Sequence, residues 1–153
     1  GKKESGKKVF ILGGELTACE TGEFLMERGH EVIIGRRGTK FATKIEPVQR
    51  KLIVKRLTDA GARMIGGIEQ YSILENELLI KANGENESLK VDNIILATGY
   101  NATGSSLDWV SDLVPFTIKI GDAREAGYIL TCVRDGWDAV DTIFDFVTGQ
   151  LTS

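Results

Sequence analysis

The feature that most constrains the fold is the run VFILGGELTA at residues 9–18, near the start of the sequence. Four apolar residues lead directly into two glycines, and a helical pattern follows in which Ala18, Gly22, Leu25 and Met26 share one face. A change from an unbroken apolar run to a period near 3.6 predicts a buried strand that enters a helix through a tight glycine turn. This arrangement is typical of a parallel βαβ unit.

The spacing of this turn matches the dinucleotide-binding motif G-x-G-x-x-G/A at two of its three small-residue positions. Gly13 permits the tight turn and Ala18 permits close packing of helix on strand, but Glu15 occupies the position where a second glycine lets the backbone approach a diphosphate. The turn predicts cofactor contacts from five residues, which are Gly13, Gly14, Glu15, Leu16 and Ala18. A carboxylate at Glu15 could instead cap the helix N-terminus, which would leave a turn that binds no nucleotide.

The rest of the pattern predicts an α/β fold, a Rossmann-like three-layer sandwich whose parallel sheet is joined by an antiparallel β-meander instead of a helical crossover. We expect helices at 15–28, 47–61 and 130–148, parallel strands at 9–13, 31–34, 63–65 and 93–99, meander strands at 67–74, 77–82 and 88–91, and a final strand at 117–122. The expected organisation is a flexible lead-in at 1–8, a nucleotide-binding domain at 9–99, a connecting loop at 100–116, and a strand with a C-terminal helix at 117–153.

Composition excludes several classes of partner. The 153 residues are 42% hydrophobic and 27% charged with a net charge of −3, which gives no electrostatic basis for binding nucleic acid. No apolar run has the length of a membrane span, so we expect no membrane partner. Cys19 and Cys132 form no C-x-x-C pair, which favours buried thiols in a reducing, cytoplasmic compartment.

The end of the second strand sets the expected nucleotide preference. A carboxylate at this position accepts hydrogen bonds from the ribose 2′-hydroxyl of NAD, but here Gly35 has no side chain and Arg36 and Arg37 follow. Guanidinium groups suit a 2′-phosphate, so the two arginines favour NADP(H) over NAD(H), although paired arginines in a loop are often only solvated surface. The segment Ala97-Thr98-Gly99 would line the cofactor channel at the carboxyl edge of the sheet.

Four landmarks occur in order along the chain: the glycine turn, the basic loop, Ala97-Thr98-Gly99 and Ile120-Gly121-Asp122. Together they resemble the two-dinucleotide-binding flavoproteins, the group that includes the pyridine nucleotide–disulfide oxidoreductases. Cys19-Glu20-Thr21 and Val91-Asp92-Asn93-Ile94-Ile95 resemble in particular the C-terminal part of the 2,4-dienoyl-CoA reductase, 2-enoate reductase and trimethylamine dehydrogenase family. The resemblance extends from about residue 7 to residue 148.

This resemblance implies that the chain is part of a larger enzyme. It implies a pyridine-nucleotide domain inserted into a flavin-type domain, with FAD or FMN in the intact protein and flavin-bearing domains of that protein as partners. Glu20 would face the nicotinamide end of the cofactor, and Gly121 and Asp122 would face the flavin, although Asp122 could instead cap the loop before the last helix. The final strand would lack its usual neighbours here, and the strand at 94–98 is a candidate replacement.

The sequence offers no nucleophile–base pair and no cluster of metal ligands, so any chemistry would come from the cofactor. We expect an NAD(P)H-binding portion of a flavin-dependent oxidoreductase that passes hydride to a flavin held elsewhere and has no turnover alone. The alternative is a non-catalytic structural or docking module that Glu15 prevents from binding dinucleotide. A third hypothesis is a site for an adenine nucleotide that lacks nicotinamide.

Overall fold

A computed structural model describes residues 7–75 and 77–151, so most of the predicted lead-in and Asn76 lie outside the described residues. The chain divides into two compact units, Gly1–Gly99 and Tyr100–Ser153. The strands are β1 (Lys8–Leu12), β2 (Glu31–Gly35), β3 (Arg63–Ile65), β4 (Ile68–Ile73), β5 (Leu78–Ala82), β6 (Glu85–Leu89) and β7 (Asn93–Leu96), and the helices are α1 (Leu16–Met26), α2 (Pro47–Asp59) and α3 (Ile129–Leu151). Two 3₁₀ helices cover Gly104–Asp112 and Gly121–Ala123.

A four-stranded parallel sheet forms the centre of the first unit, in the order β3-β2-β1-β7. Strand β1 lies between β2 and β7, with Phe10 opposite Ile33 on one side and Ile94 on the other. Residues 9–11 and 32–34 are almost completely inaccessible, which explains why both strands are apolar without alternation. Strand order and burial confirm the predicted Rossmann-like fold.

Helices α1 and α2 cover one face of this sheet. Ala18, Leu25, Ile53 and Leu57 pack against one side of β1 and β2 in a single apolar cluster. Helix α2 begins at Pro47, and the Glu46 carboxylate caps it by accepting hydrogen bonds from the first turn. The helical layer therefore forms where the spacing of apolar residues predicts it.

A three-stranded antiparallel sheet, β4-β5-β6, covers the opposite face and makes the third layer. Ile68, Leu78 and Ile80 pack against the side chains that β1 and β2 present on that side. A two-residue turn at Asn83-Gly84, with φ angles of 53° and 82°, joins β5 to β6. Because pairing resumes directly after this turn, the third meander strand lies at 85–89, and the predicted bounds of 88–91 are wrong.

The second unit departs further from the sequence-based expectation. Residues 117–120 form no regular secondary structure and pair with no strand within the part of the chain that the structure describes, so the predicted strand at 117–122 is wrong. Without a neighbouring strand, its backbone groups cannot form the ladder that defines a strand. Part of the predicted loop at 100–116 forms a 3₁₀ helix, and α3 continues past Gly149 to Leu151.

Helix α3 keeps the predicted amphipathic pattern, but most of its apolar stripe is exposed. Val133, Trp137, Val140 and Phe144 are each more than half exposed. The buried positions of this helix are instead Asp135 and Ala139. The helix itself therefore forms where the sequence predicts it, with its apolar stripe largely uncovered among the described residues.

A pair of leucines on α2 tests the core assignment. Leu57→Ala should lower the free energy of unfolding by about 2–5 kcal/mol, since Leu57 is completely buried between α1 and the sheet. The matched control Leu52→Ala removes the same atoms from a side chain that is 53% exposed and should change stability by less than about 1 kcal/mol. Urea denaturation followed by circular dichroism measures both, and equal losses would contradict this packing.

Candidate functional site

The glycine turn after β1 is held between the carboxyl ends of the two neighbouring strands. The Gly13 N–H donates to the Gly35 carbonyl at 2.8 Å, and the Ala97 N–H donates to the Leu12 carbonyl at 2.8 Å. Gly13 has φ = 141°, and a Cβ atom there would lie 2.1 Å from the Ala97 carbonyl oxygen. The turn thus requires glycine on two independent grounds, its backbone angle and its contact with the end of β7.

Small residues bring α1 close to the sheet just beyond this turn. Ala18 is completely buried, and a Cβ atom at Gly22 would lie 2.9 Å from Ile34 Cδ1. Leu16 packs at the edge of the same cluster. The N-terminus of α1, with its unpaired N–H groups, therefore lies at the carboxyl edge of the parallel sheet, where open α/β sheets bind ligands.

Glu15 occupies the N-cap position of α1, but its side chain accepts no hydrogen bond from the helix. Its carboxylate lies instead against the loop that follows β2. Oε1 accepts a hydrogen bond from Thr43 Oγ1 at 2.7 Å, and Oε2 accepts one from the Lys44 backbone N–H at 3.1 Å. The interpretation of this carboxylate as a helix cap is therefore wrong, because it accepts its hydrogen bonds from the loop and not from the N–H groups of α1.

Arg36 joins the same cluster from the end of β2. Its Nη1 atom lies 2.9 Å from Glu15 Oε1 and also donates to the carbonyls of Gly14 and Lys40. The Ala42 N–H donates to the Gly14 carbonyl as well, at 2.7 Å. The glycine turn and the loop after β2 are thus tied together through both main-chain and side-chain contacts.

This environment favours the charged form of Glu15. Partial burial alone would raise its pKa, but hydrogen bonds from Thr43 and Lys44 and the charge of Arg36 together hold the pKa of Glu15 below its usual 4.5.

Cys19, one turn further along α1, is buried. Loss of solvation, reinforced by the Glu15 carboxylate, raises the pKa of its thiol to about 11. Cys19 is consequently a neutral core side chain at physiological pH and no nucleophile.

Gly35, Arg36 and Arg37 lie at the end of β2 in three different environments. A Cβ atom at Gly35 would lie 2.4 Å from Phe10 Cζ and 2.7 Å from Ile68 Cδ1, so a side chain there would enter the core beneath the antiparallel sheet. Arg36 directly follows β2, and its side chain extends in the other direction, to Gly14 and Glu15 at the start of α1. Arg37 is exposed and makes no hydrogen bond or ion pair in the described ranges.

Direct contacts connect six of the predicted site residues, namely Gly13, Gly14, Glu15, Gly35, Arg36 and Ala97. Thr98 and Gly99 follow directly after Ala97 and are exposed, with Gly99 at φ = 93°. Glu20 is exposed on α1 and contacts none of these residues through a hydrogen bond or ion pair in the described ranges. Leu16 and Ala18 contribute through the position of the helix.

Gly121 and Asp122 belong to the second unit and form a small polar cluster there. The buried Asp135 carboxylate accepts the Gly121 N–H at 2.8 Å and pairs with Arg124 Nη2 at 2.6 Å. Asp122 Oδ1 accepts the Gly127 N–H at 3.0 Å, two residues before α3 begins. This contact is of the kind expected for a loop-capping aspartate.

Sequence reasoning missed two side chains that organise these clusters. Thr43 lies 28 residues from Glu15 in a polar loop, and no spacing rule connects the two. Asp135 lies within a helix whose other side chains suggest only amphipathicity, so its burial had no visible signal. Both are identified only once the backbone brings distant segments together.

The fold and the glycine turn define a dinucleotide-binding domain of the Rossmann type, and the comparisons specify its family. A family model for pyridine nucleotide-disulphide oxidoreductases matches residues 1–117. The chain belongs to this family, whose members use FAD and NAD(P)H. An NADH oxidase of Thermoanaerobacter brockii is 26% identical over 136 residues, which cover 88% of this chain and 21% of that protein.

Solved structures support the same fold. A 2-naphthoyl-CoA reductase in complex with 2-naphthoyl-CoA superposes with a TM-score of 0.78 at 20% identity, covering 88% of this chain and 21% of that one. Histamine dehydrogenase from Rhizobium sp. 4-9 superposes with a TM-score of 0.67 at 18% identity, over 86% of this chain and 22% of that one. The chain thus spans about a fifth of the length of these relatives.

The described ranges contain neither a cluster of metal ligands nor a helix suited to cross a membrane. No group of three or more His, Cys, Asp or Glu side chains there could hold a metal ion. No helix among the same residues is both long enough and apolar enough to cross a membrane.

The lowered pKa of Glu15 predicts a pH-dependent contribution to stability. Because its folded-state pKa lies below the usual value of 4.5, its stabilising effect is complete above that value and is lost as the pH falls through the folded-state pKa. Glu15→Gln should therefore be less stable than the wild type at pH 7, by less than about 1 kcal/mol for this partly exposed ion pair.

The difference between the two proteins should vanish under strongly acidic conditions, and urea denaturation at several pH values measures it. Glu27→Gln is the matched control, because it removes the same charge from the exposed far end of α1. A stability difference for Glu15→Gln that does not change with pH would contradict the assigned hydrogen bonds.

Proposed function

We propose that this chain binds the adenosine and diphosphate part of NAD(P)H at the glycine turn, as the nucleotide-binding portion of a flavin-dependent oxidoreductase. The single observation that carries the proposal is the turn itself. Gly13 leaves no room for a side chain against the end of β7, and the α1 N-terminus carries no side-chain cap. Free N–H groups at the positive end of a helix dipole suit the negative charge of a diphosphate.

The residues present fit such a ligand in spite of Glu15. A carboxylate that capped α1 would compete with a diphosphate for the same N–H groups. The Glu15 carboxylate instead lies against Thr43, Lys44 and Arg36, so the N–H groups of the first turn are left for a ligand. This orientation favours nucleotide binding over the alternative of a turn that satisfies itself.

The proposed cofactor-binding residues form groups according to the part of the fold that carries them. Gly13, Gly14, Leu16 and Ala18 shape the turn and the helix N-terminus. Gly35, Arg36 and Arg37 lie at the ribose end, where Gly35 contributes backbone and Arg37 an exposed positive charge. Ala97, Thr98 and Gly99 extend from the adjacent strand end, and Glu20 lies further along α1. Gly121 and Asp122, in the second unit, are proposed to serve the flavin-type domain.

The proposed reaction places the chemistry in the cofactor. When bound, reduced nicotinamide supplies hydride to a flavin that other parts of the intact protein hold. This chain would bind and orient the dinucleotide, and none of its residues is proposed to act as acid, base or nucleophile. We expect the isolated chain to have no turnover.

We further propose that the intact protein is similar to the 2,4-dienoyl-CoA reductase, 2-enoate reductase and trimethylamine dehydrogenase enzymes. Cys19-Glu20-Thr21 and the segment at 91–95 support this narrower assignment. The structural similarity to a 2-naphthoyl-CoA reductase and a histamine dehydrogenase is in keeping with it. The substrate would bind outside this chain.

Arg37 provides a direct test of nucleotide binding at this edge. Isothermal titration calorimetry should detect binding of NADH or NADPH to the wild type at millimolar or lower concentration. Arg37→Glu should weaken binding roughly tenfold, as expected when a charge-assisted hydrogen bond worth about 1.5 kcal/mol is lost. Lys51→Glu is the matched control, since it makes the same charge change on the exposed face of α2 and should leave affinity unchanged.

Amide chemical shifts measured with and without nucleotide locate the site. Changes should concentrate at residues 13–20, 35–37 and 97–99, and β4–β6 should be unaffected. Absence of binding by the wild type at millimolar nucleotide would contradict the proposed function and support a non-catalytic module. Equal weakening by the two substitutions would show that Arg37 acts only through net charge.

A further inference from the structure

The end of β2 lacks the side chain that usually recognises the adenosine ribose in a dinucleotide-binding fold. A carboxylate at this position distinguishes the 2′-hydroxyl of NAD from the 2′-phosphate of NADP. Here β2 ends at Gly35, where a Cβ atom would point into the core, 2.4 Å from Phe10 Cζ and 2.7 Å from Ile68 Cδ1, and the next residue, which faces the glycine turn, is Arg36. No carboxylate therefore reaches the glycine turn from the end of β2.

A carboxylate nevertheless occupies this corner of the sheet, and it comes from the opposite side. Glu15, at the start of α1, reaches across to Arg36, the residue immediately after Gly35, with 2.9 Å between Oε1 and Nη1. Thr43 Oγ1 and the Lys44 N–H donate to the same carboxylate at 2.7 Å and 3.1 Å. The acidic group beside the ribose end of the proposed site thus comes from the start of α1 and not from β2.

The donors around Glu15 form the kind of set that binds a phosphate. A guanidinium, a hydroxyl and a backbone N–H are groups that recognise phosphate oxygens in proteins, and carboxylate and phosphate use the same donors. The side chains of Glu15 and Arg36 retain only 27% and 20% of their accessible surface. Arg36 Nη1 also donates to the carbonyls of Gly14 and Lys40, so the donors of this nitrogen are already engaged around the Glu15 carboxylate.

We propose that Glu15 is a specificity-determining residue that occupies an anion site formed by Arg36, Thr43 and the Lys44 N–H, and thereby selects NAD(H) against NADP(H). A 2′-phosphate at this site would have to displace the Glu15 carboxylate or lie beside it at the cost of charge repulsion. A 2′-hydroxyl brings no charge and can donate a hydrogen bond to a carboxylate. The inference rests on the proposed function, and it reverses the preference that the two arginines suggest when considered alone.

The ratio of two dissociation constants tests this proposal. NADP⁺ and NAD⁺ differ only by the 2′-phosphate, so Kd(NADP⁺)/Kd(NAD⁺), measured by calorimetry, is insensitive to a general loss of folded protein. The wild-type ratio should exceed about ten, and Glu15→Gln should lower it by about tenfold or more, as expected when a charged partner competes for one strong anion contact. Glu27→Gln removes a charge at the far end of α1 and should leave the ratio unchanged.

A double variant identifies the group that holds the phosphate. If Glu15→Gln releases Arg36, then Glu15→Gln/Arg36→Gln should lose the gain in NADP⁺ affinity, so that Kd(NADP⁺)/Kd(NAD⁺) returns to the wild-type ratio or above. A gain that persists without Arg36 would overturn the proposed anion site. Circular dichroism and amide spectra of each variant establish that the loop at 36–46 remains folded.

The outcomes separate this inference from the proposed function. If both nucleotides bind the wild type and the ratio does not respond to Glu15→Gln, or if the wild type prefers NADP⁺, the inference is wrong and the proposed function stands. If the wild type binds neither nucleotide but Glu15→Gln binds NADP⁺, the proposed function fails and the anion site is supported. If no protein binds either nucleotide, both are wrong.

Discussion

The contact between the Glu15 carboxylate and the loop after β2 holds together the two segments that form the candidate site at the carboxyl edge of the sheet. A single side chain receives donors from Arg36, Thr43 and Lys44, which belong to a loop that begins more than twenty positions further along the chain. Together with the Ala42 N–H bond to the Gly14 carbonyl, it fixes this loop to the glycine turn. The N-terminus of α1 remains available only because the carboxylate is engaged elsewhere.

Most of the first unit could be predicted from the sequence because its signals are local or periodic. The unbroken apolar run at 9–12 predicts the buried strand β1, and Pro47 and Gly29 are residues typical of the helix start and the helix end at which they lie. The pair at Asn83-Gly84 is the residue pair that a two-residue hairpin turn favours. The strand after it was placed too late because the tight two-residue turn allows pairing to resume immediately, on polar residues that carry no strand signal.

The candidate site was predictable in position but not in its contacts. Motif spacing located the glycine turn and the basic loop and indicated their roles, and the resemblance to a family supplied the expected roles of Glu20, Gly121 and Asp122. The direction of the Glu15 side chain depends on Thr43 and Lys44, which are distant in sequence and unremarkable in composition. The structure of the second unit was harder to predict from the sequence. A strand forms only where another strand pairs with it, and an apolar helical stripe is buried only where another part of the protein packs on it. Residues 117–120 and the exposed side chains of α3 have neither in the described part of the chain.

The departure of this turn from the glycine motif is best understood together with Gly35. A side chain at Gly35 would enter the core against Phe10 and Ile68, so the usual acidic residue at the end of β2 cannot be accommodated with this packing. Glu15 brings an acidic group to the same corner from α1, and Arg36 balances its charge. The carboxylate that β2 does not carry is therefore present at this corner from the start of α1, although Gly35 does not restore the close backbone approach that a second glycine in the turn would allow. The two positions consequently have to be considered together when the charge at this corner is judged.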